Sequence, residues 1–288
     1  MTTHARALRN IIEAGRTIWS AGAYDALSAR LVDEAGFDAV FTTGFGISAS
    51  HLGLPDVELY TMTENLGVVR HMVNSVKRPV IADGDTGYGN VINVIRTVRE
   101  FEHAGVAGIV FEDQLIPKRC PAAASRVEVL PAEEAARKIR AACDTRRDRD
   151  FLVIARTDAD SVEESIERAC LYAEAGADLI QPISRTMKSI DDLRRLQSAC
   201  GRRLSLQILG WLERDLSPAD IESVAGLAVF PLVPLMTVTS AMRANLAKLA
   251  ADRHARALPL AQTSMDQFKK LIGFDDIERI QREYGMDR

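Results

Sequence analysis

The 288-residue chain offers little of what several protein classes need. Behind its first residues, which include His4, Arg6 and Arg9, no apolar stretch follows. No secretory signal or membrane span is therefore expected, and no membrane partner. Cysteine is scarce: Cys120, Cys143, Cys170 and Cys200 show no C-x-x-C spacing. Neither a zinc framework nor a disulfide scaffold follows, and a reducing, cytoplasmic setting is expected. Basic residues are not in excess, with 36 Lys and Arg against 40 Asp and Glu and a net charge of −4. They are interspersed with acids, so no nucleic-acid face is expected. What is present is apolar content, at 47%, enough for one large core. The length suits a single α/β barrel, which takes about 250 residues plus insertions.

Apolar spacing divides the chain into alternating elements. Strands are expected at 17–20, 39–43, 80–83, 108–111, 151–155, 179–182, 204–208 and 227–230. Helices are expected at 5–14, 24–35, 62–76, from 91 past Phe101, and at 131–146, 162–175, 190–199, 218–224 and 234–251. Gly44-Phe-Gly46 reads as a loop, 114–130 as a long irregular connection, and 265–284 as a helical tail. One junction recurs, as Glu34-Ala-Gly-Phe-Asp-Ala-Val40, His103-Ala-Gly-Val-Ala-Gly-Ile109, Glu174-Ala-Gly-Ala-Asp-Leu-Ile180 and Val224-Ala-Gly-Leu-Ala-Val229. Each reads as a helix stopped by a left-handed glycine just before a buried strand. Gly36, Gly105 and Gly176 lie 69 and 71 residues apart, two β-α units per gap. Strand and helix alternating at that length predict a parallel sheet, and eight units predict a closed (β/α)8 TIM barrel. The expectation is one domain over 1–288, with a helical tail over 252–288.

Polar residues collect at the strand ends. Val80-Ile-Ala runs into Asp83-Gly-Asp85 and a glycine-rich turn. Like charges at the end of a buried strand are costly unless a cation lies between them. The pair reads either as a divalent-metal site or as loop acids capping the next helix. Glu112 and Asp113 end strand four, Arg156 and Asp158 end strand five, and Gln181 and Gln207 lie in strands six and seven. In a barrel all of these face one rim, where barrel active sites are built. Oxygen ligands from Asp83, Asp85 and Glu112 suit Mg2+ or Mn2+ better than zinc. Arg156 could hold a carboxylate by two hydrogen bonds, or be an internal partner of these acids. Lys118-Arg-Cys120 lies in the long connection, which could form a lid. A thiol beside two cations could exchange protons, or could be incidental.

Taken in order, several segments resemble one known family. They are Gly22-Ala-Tyr-Asp-Ala-Leu-Ser-Ala-Arg30, Thr43-Gly44, Leu52-Gly-Leu-Pro-Asp56, Asp83-Gly-Asp-Thr-Gly-Tyr-Gly89, Phe111-Glu-Asp-Gln114, Lys118-Arg-Cys120 and Ala155-Arg-Thr-Asp-Ala159. The family is the isocitrate lyase and phosphoenolpyruvate mutase superfamily, and the resemblance spans about residues 15–250. Within it the methylisocitrate lyase-like and oxaloacetate decarboxylase-like branch is the most similar. The resemblance implies a (β/α)8 barrel whose last helix is exchanged between subunits of a homo-oligomer, a dimer or tetramer. It implies bound Mg2+ and a small α-oxygenated carboxylate substrate. Asp85 would be the direct metal ligand, Asp83 and Glu112 would hold metal-bound waters, and Asp56 would support them. Thr43, Gly44, Phe45 and Arg156 would bind the substrate, with Asp83 and Gln207 beside it. Cys120 would move a proton at the enolate carbon.

Three departures bear on the substrate. Cleaving lyases of the family follow Lys-Arg-Cys with Gly-His, where Cys120 here is followed by Pro121 and Ala122-Ala-Ala124-Ser125. They place Glu after the strand-six proline, where Pro182 here precedes Ile183. They use Asn where Gln207 stands. A small 2-oxo or 2-hydroxy dicarboxylate is therefore favoured over a tricarboxylate. The expected activity is a Mg2+-dependent carbon–carbon lyase or decarboxylase working through a pyruvate-type enolate. The alternatives are a phosphonopyruvate- or phosphoenolpyruvate-type mutase or hydrolase, and a non-catalytic carboxylate-binding barrel.

Overall fold

A computed structural model describes residues 3–121, 123–124 and 126–286. Eight parallel strands close into a barrel in chain order: β1 Ile18–Ala23, β2 Ala39–Thr42, β3 Val80–Asp83, β4 Gly108–Glu112, β5 Leu152–Thr157, β6 Leu179–Pro182, β7 Leu204–Gln207 and β8 Ala225–Phe230. Pairing of β8 with β1, Ile18 opposite Leu227, completes the ring. The described helices are α1 His4–Glu13, α2 Ala26–Glu34, α3 Gly44–Ile47, α4 Met62–Ser75, α5 Val91–His103, α6 Ala132–Thr145, α7 Val162–Glu174, α8 Ile190–Cys200, α9 Trp211–Asp215, α10 Pro218–Val224, α11 Val233–Asp252, α12 Met265–Ile272 and α13 Phe274–Glu283. Among the described residues no helix is long and apolar enough to cross a membrane.

Strand side chains alternate, so each strand feeds two cores. Phe41, Ile81, Val110, Ile154, Leu179, Leu227 and Val229 fill the barrel interior, and Ala5 and Leu8 of α1 join that cluster beside the strand starts. Ala82, Ile109, Phe111, Val153, Ala155 and Ile180 face the other way, toward the surrounding helices. Leu8 is fully buried, which stabilises the fold by about 1.5–3 kcal/mol. The parity that buries Ile81, Val110 and Ile154 also aims Asp83, Glu112 and Arg156 into the opposite mouth.

The junction glycines behave as expected at three positions: Gly36, Gly105 and Gly176 have φ of 87°, 90° and 102°. The fourth differs. α10 ends at Val224 and β8 starts at once, with Gly226 inside the strand, where an added Cβ would stand 2.7 Å from Leu179 Cδ2. Close strand packing, not a left-handed turn, requires glycine there. Gly44-Phe-Gly46 is not a loop. Thr43 caps α3 through the Gly46 amide, and a π-helical turn, Ser48–Leu52, continues it. The tail over 265–284 is two helices, broken at Gly273, whose φ is 87°. The described chain forms two compact units, one through Pro234 and one from Leu235 onward, an earlier division than residue 252.

Candidate active site

The β3 turn gathers the first acids. Asp83 accepts from the Asp85 amide at 3.1 Å through one oxygen and from the Gly44 amide at 3.1 Å through the other. Asp85 is fully buried with φ of 48°, in the region that non-glycine residues rarely adopt. Tyr88, at φ 58°, donates its hydroxyl to Asp85 Oδ2 at 2.9 Å. Asn65 donates to the Tyr88 hydroxyl at 2.7 Å and to the Asp83 carbonyl at 3.0 Å. A strained turn held from several sides is typical of a functional loop.

Strands β4 and β5 add the next groups. Glu112 lies beside Arg156 in the strand register, and the two side chains meet at 2.7 Å. The other arm of Arg156 pairs with Asp158 at 2.8 Å. The internal ion pair read as one alternative for Arg156 is thus formed, while Arg156 Nε stays buried without a partner.

Lys118 supplies the second cation. Its ammonium is 2.5 Å from Asp85 Oδ1, 2.9 Å from Asp56 and 3.8 Å from Glu112 Oε1. Its backbone amide donates to Glu58 Oε2 at 3.3 Å. Glu58 also accepts from the Thr86 hydroxyl, tying together the segment before α4, the β3 turn and the β4 connection. Glu112 Oε1 is buried and accepts no hydrogen bond.

Electrostatics follow from this crowding. Five carboxyl groups, on Asp56, Asp83, Asp85, Glu112 and Asp158, face two cations, on Lys118 and Arg156. Burial, then Asp85, pushes the Asp83 carboxyl up to about 6. Burial pushes Glu112 up to about 8, against the pull of Arg156 and Lys118. Burial works against the charge on Lys118, but Asp85, Glu112, Asp56 and Asp83 outweigh it and hold the ammonium charged.

The expected metal ligands Asp56, Asp83, Asp85 and Glu112 thus lie together, but around an ammonium. Among the described residues no group of three or more His, Cys, Asp or Glu is gathered as a ready metal shell. The donor chemistry nonetheless fits a hard divalent ion: the oxygens are carboxylates, Glu112 Oε1 is unpartnered, and negative charge is in excess. Gly44 leaves the space such a ligand set needs. A Cβ there would lie 2.6 Å from the Tyr60 hydroxyl, 2.8 Å from Asp83 Oδ2 and 3.2 Å from Asp85 Oδ1.

The other expected residues take varied places. Thr43 is buried as the cap of α3, and Phe45 is half-buried beside Gly44. Gln207 donates to Gln181 Oε1 at 3.2 Å, which also accepts from Ser205 at 2.9 Å, so the two strand-end amides are linked. Cys120 is a half-buried free thiol. Among the described residues no hydrogen bond joins that thiol to the acids; its carbonyl accepts from Ala123 and Ala124 at 3.0 and 2.9 Å. Ala122 and Ser125 of the small-residue run lie outside the described residues. Sequence reasoning overlooked Tyr60, Asn65 and Glu58, and placed Lys118 beside Cys120 but not among the acids. Tyr88 and Lys118 had a signal, their places in the glycine-rich motif and in Lys118-Arg-Cys120; Tyr60, Asn65 and Glu58 had none.

Comparison with known proteins follows the same lines. The phosphoenolpyruvate phosphomutase family profile matches residues 8–252. The 2,3-dimethylmalate lyase of Eubacterium barkeri is 37% identical, with all of both chains covered. A phosphoenolpyruvate phosphomutase structure from Streptomyces platensis subsp. rosaceus superposes with a TM-score of 0.90 at 33% identity, over 97% of this chain and 99% of that one. A phosphonopyruvate hydrolase structure in complex with oxalate and Mg2+ gives 0.87 at 32% identity, over 98% and 99%.

Proposed function

The chain belongs to the phosphoenolpyruvate phosphomutase family, within the isocitrate lyase superfamily, and from that premise we propose that it is a Mg2+-dependent carbon–carbon lyase or decarboxylase. Its substrate is a small 2-oxo or 2-hydroxy dicarboxylate. The observation that carries this reading is the convergence of Asp56, Asp83, Asp85 and Glu112 at one barrel mouth, with Gly44 leaving room beside them. The full-length likeness to a lyase of a substituted malate supports the substrate class.

Asp85 would hold the ion directly, Asp83 and Glu112 would hold it through water, and Asp56 would support them, with Lys118 giving up its place. When bound, Mg2+ (or Mn2+) supplies a Lewis acid beside the developing negative oxygen. The rest falls to the chain. Arg156 offers a planar fork for a substrate carboxylate, exchanging its bond to Glu112 for one to the ligand. Thr43, Gly44 and Phe45 line that end of the site, and Gln207 with Gln181 lines another part of the rim. In decarboxylation of a 2-oxo acid the C3–C4 bond breaks and CO2 leaves. In cleavage of a 2-hydroxy acid the hydroxyl gives its proton to a carboxylate of the site, C2 becomes a carbonyl and the C2–C3 bond breaks. In both, C3 keeps the electron pair. A proton must then reach C3, and Cys120 is the group we assign to deliver it.

Purified protein with Mg2+ should release pyruvate or a related 2-oxo acid from a panel of C4 to C6 oxo and hydroxy diacids. Asp85→Ala should lower turnover by about 10³-fold or more. No turnover across the panel would overturn the reading. Likeness to the phosphomutase and the phosphonopyruvate hydrolase favours one second reading, chemistry at a P–C bond. Phosphorus NMR on phosphonopyruvate separates the two.

We also propose a homo-oligomer, a dimer or tetramer, in which C-terminal helices are exchanged. Phe268, Ile272, Phe274, Ile277 and Ile280 of the second unit are exposed, and apolar surface of that extent marks an interface. In the barrel unit, Trp19, Ile208, Leu212 and Phe230 line an open groove of about 510 Å3. Light scattering in solution should give at least a dimer mass; a monomer would refute this.

A further inference from the structure

Tyr60 is a buried phenol whose hydroxyl has no role so far. It is 2% exposed, and its oxygen has no hydrogen-bond partner. The ring belongs to the apolar core. The next residue, Thr61, caps α4, with its amide donating to Glu64 at 2.7 Å, so packing and capping together fix the ring. The hydroxyl lies over Gly44, 2.6 Å from where a Cβ would stand, and Asp83 Oδ2 and Asp85 Oδ1 flank the same point.

The nearby acceptors are already engaged. Asp83 accepts from the amides of Gly44 and Asp85, and Asp85 accepts from Tyr88 and Lys118. A phenol keeps its proton at neutral pH, so Tyr60 acts as a donor. A buried donor left unpaired is destabilising, and such groups in native proteins call for a partner. A ligand bound at this mouth would supply the missing acceptor.

We infer that Tyr60 is a substrate-binding residue, its hydroxyl donating a hydrogen bond to an anionic oxygen at the reactive end of the bound carboxylate. This rests on the carboxylate-lyase reading above. It adds a fixed neutral donor to the charged fork of Arg156, and it places that donor on the segment before α4. An anionic oxygen, rather than a cation, is the ligand atom that a protonated phenol can satisfy.

The test uses the whole protein, Mg2+ and oxalate, with Tyr60→Phe as the variant. Calorimetry should show oxalate binding weakened about 10-fold or more, the loss expected for a hydrogen bond to a charged group. Binding of Mg2+ alone should be unchanged. The ligand-free variant should melt about 2–4 °C higher, because an unpaired buried hydroxyl is gone. Opposite signs for stability and ligand affinity are not expected of a residue that only supports the fold. If wild type binds oxalate and Tyr60→Phe binds it equally, the assignment of Tyr60 fails and the lyase reading stands. If the variant loses stability, Mg2+ affinity and oxalate affinity together, the role is structural and the assignment fails. If wild type binds no oxalate with Mg2+, both readings fall.

Discussion

Glu112 and Asp113 are neighbours in the chain and both are buried, yet they live in opposite surroundings. Glu112 points into the barrel mouth, where one oxygen meets Arg156 and the other has no hydrogen bond. Asp113 points outward toward α7. One of its oxygens accepts the Asp158 amide at 2.9 Å. The other accepts Tyr172 at 2.7 Å and Arg168 at 3.3 Å. Its carbonyl accepts the Leu130 amide at 2.8 Å where the long connection returns. Polar groups on one side of β4 are satisfied by the protein itself, while those on the other side are not. A completed buried network is scaffold, and an uncompleted one is a place for something to bind.

Removing each acid should separate the two roles. Asp113→Ala strands Arg168 and Tyr172 in the interior, and breaking a buried pair in this way costs about 3–5 kcal/mol. The ligand-free melting temperature should fall by about 6–20 °C. Glu112→Gln keeps the shape and imitates the protonated acid that burial favours, so the same measurement should move by no more than about 2 °C. Equal losses in the two variants would erase the distinction between them.

A smaller effect concerns pH. The carboxyls of Asp83 and Glu112 are raised to about 6 and about 8, so the folded chain holds these protons more tightly than the unfolded one. Their contribution is complete below the ordinary carboxylate range. It is lost as pH rises through about 6 and then about 8, at about 1.4 kcal/mol per proton and pH unit. With chelator present, thermal stability should therefore decline from pH 5 to 9. Mg2+ should add more stability at pH 8.5 than at pH 5.5. A Mg2+ increment independent of pH would show that these acids do not meet the ion. Burial, then Asp158, raises the Asp113 carboxyl as well, so it adds to the decline with pH, but it lies outside the mouth and should leave the Mg2+ increment unchanged.

Much of this arrangement was readable in advance. Apolar runs identified eight strands, three of them entered from glycine-stopped helices at Gly36, Gly105 and Gly176, since local rules govern both signals. Side-chain parity then put Asp83, Glu112 and Arg156 on one rim. The rest was hidden for physical reasons. Ala21–Ala23 of β1 and Ala225-Gly226 of β8 carry small residues that give no strand signal, although both pair in the barrel. Gly44 and Gly46 suggested a loop because glycine usually does, while the Thr43 cap decided for helix. Lys118 reaches Asp85 from 33 residues away, and Tyr60 is a lone aromatic without a pattern. Contacts of that kind are set by loop closure, which no local spacing encodes.

Strand β4 carries one further consequence. Chemistry and architecture alternate along it residue by residue, so its pairing frame is also a boundary between two compartments. A single inserted or deleted residue before Glu112 would turn the strand inside out, sending the scaffold carboxyl into the mouth and the reactive one into the packing of α7. Length changes in this strand should therefore be tolerated far less than equal changes in the exposed segment 253–264, even where composition and hydrophobicity are kept the same.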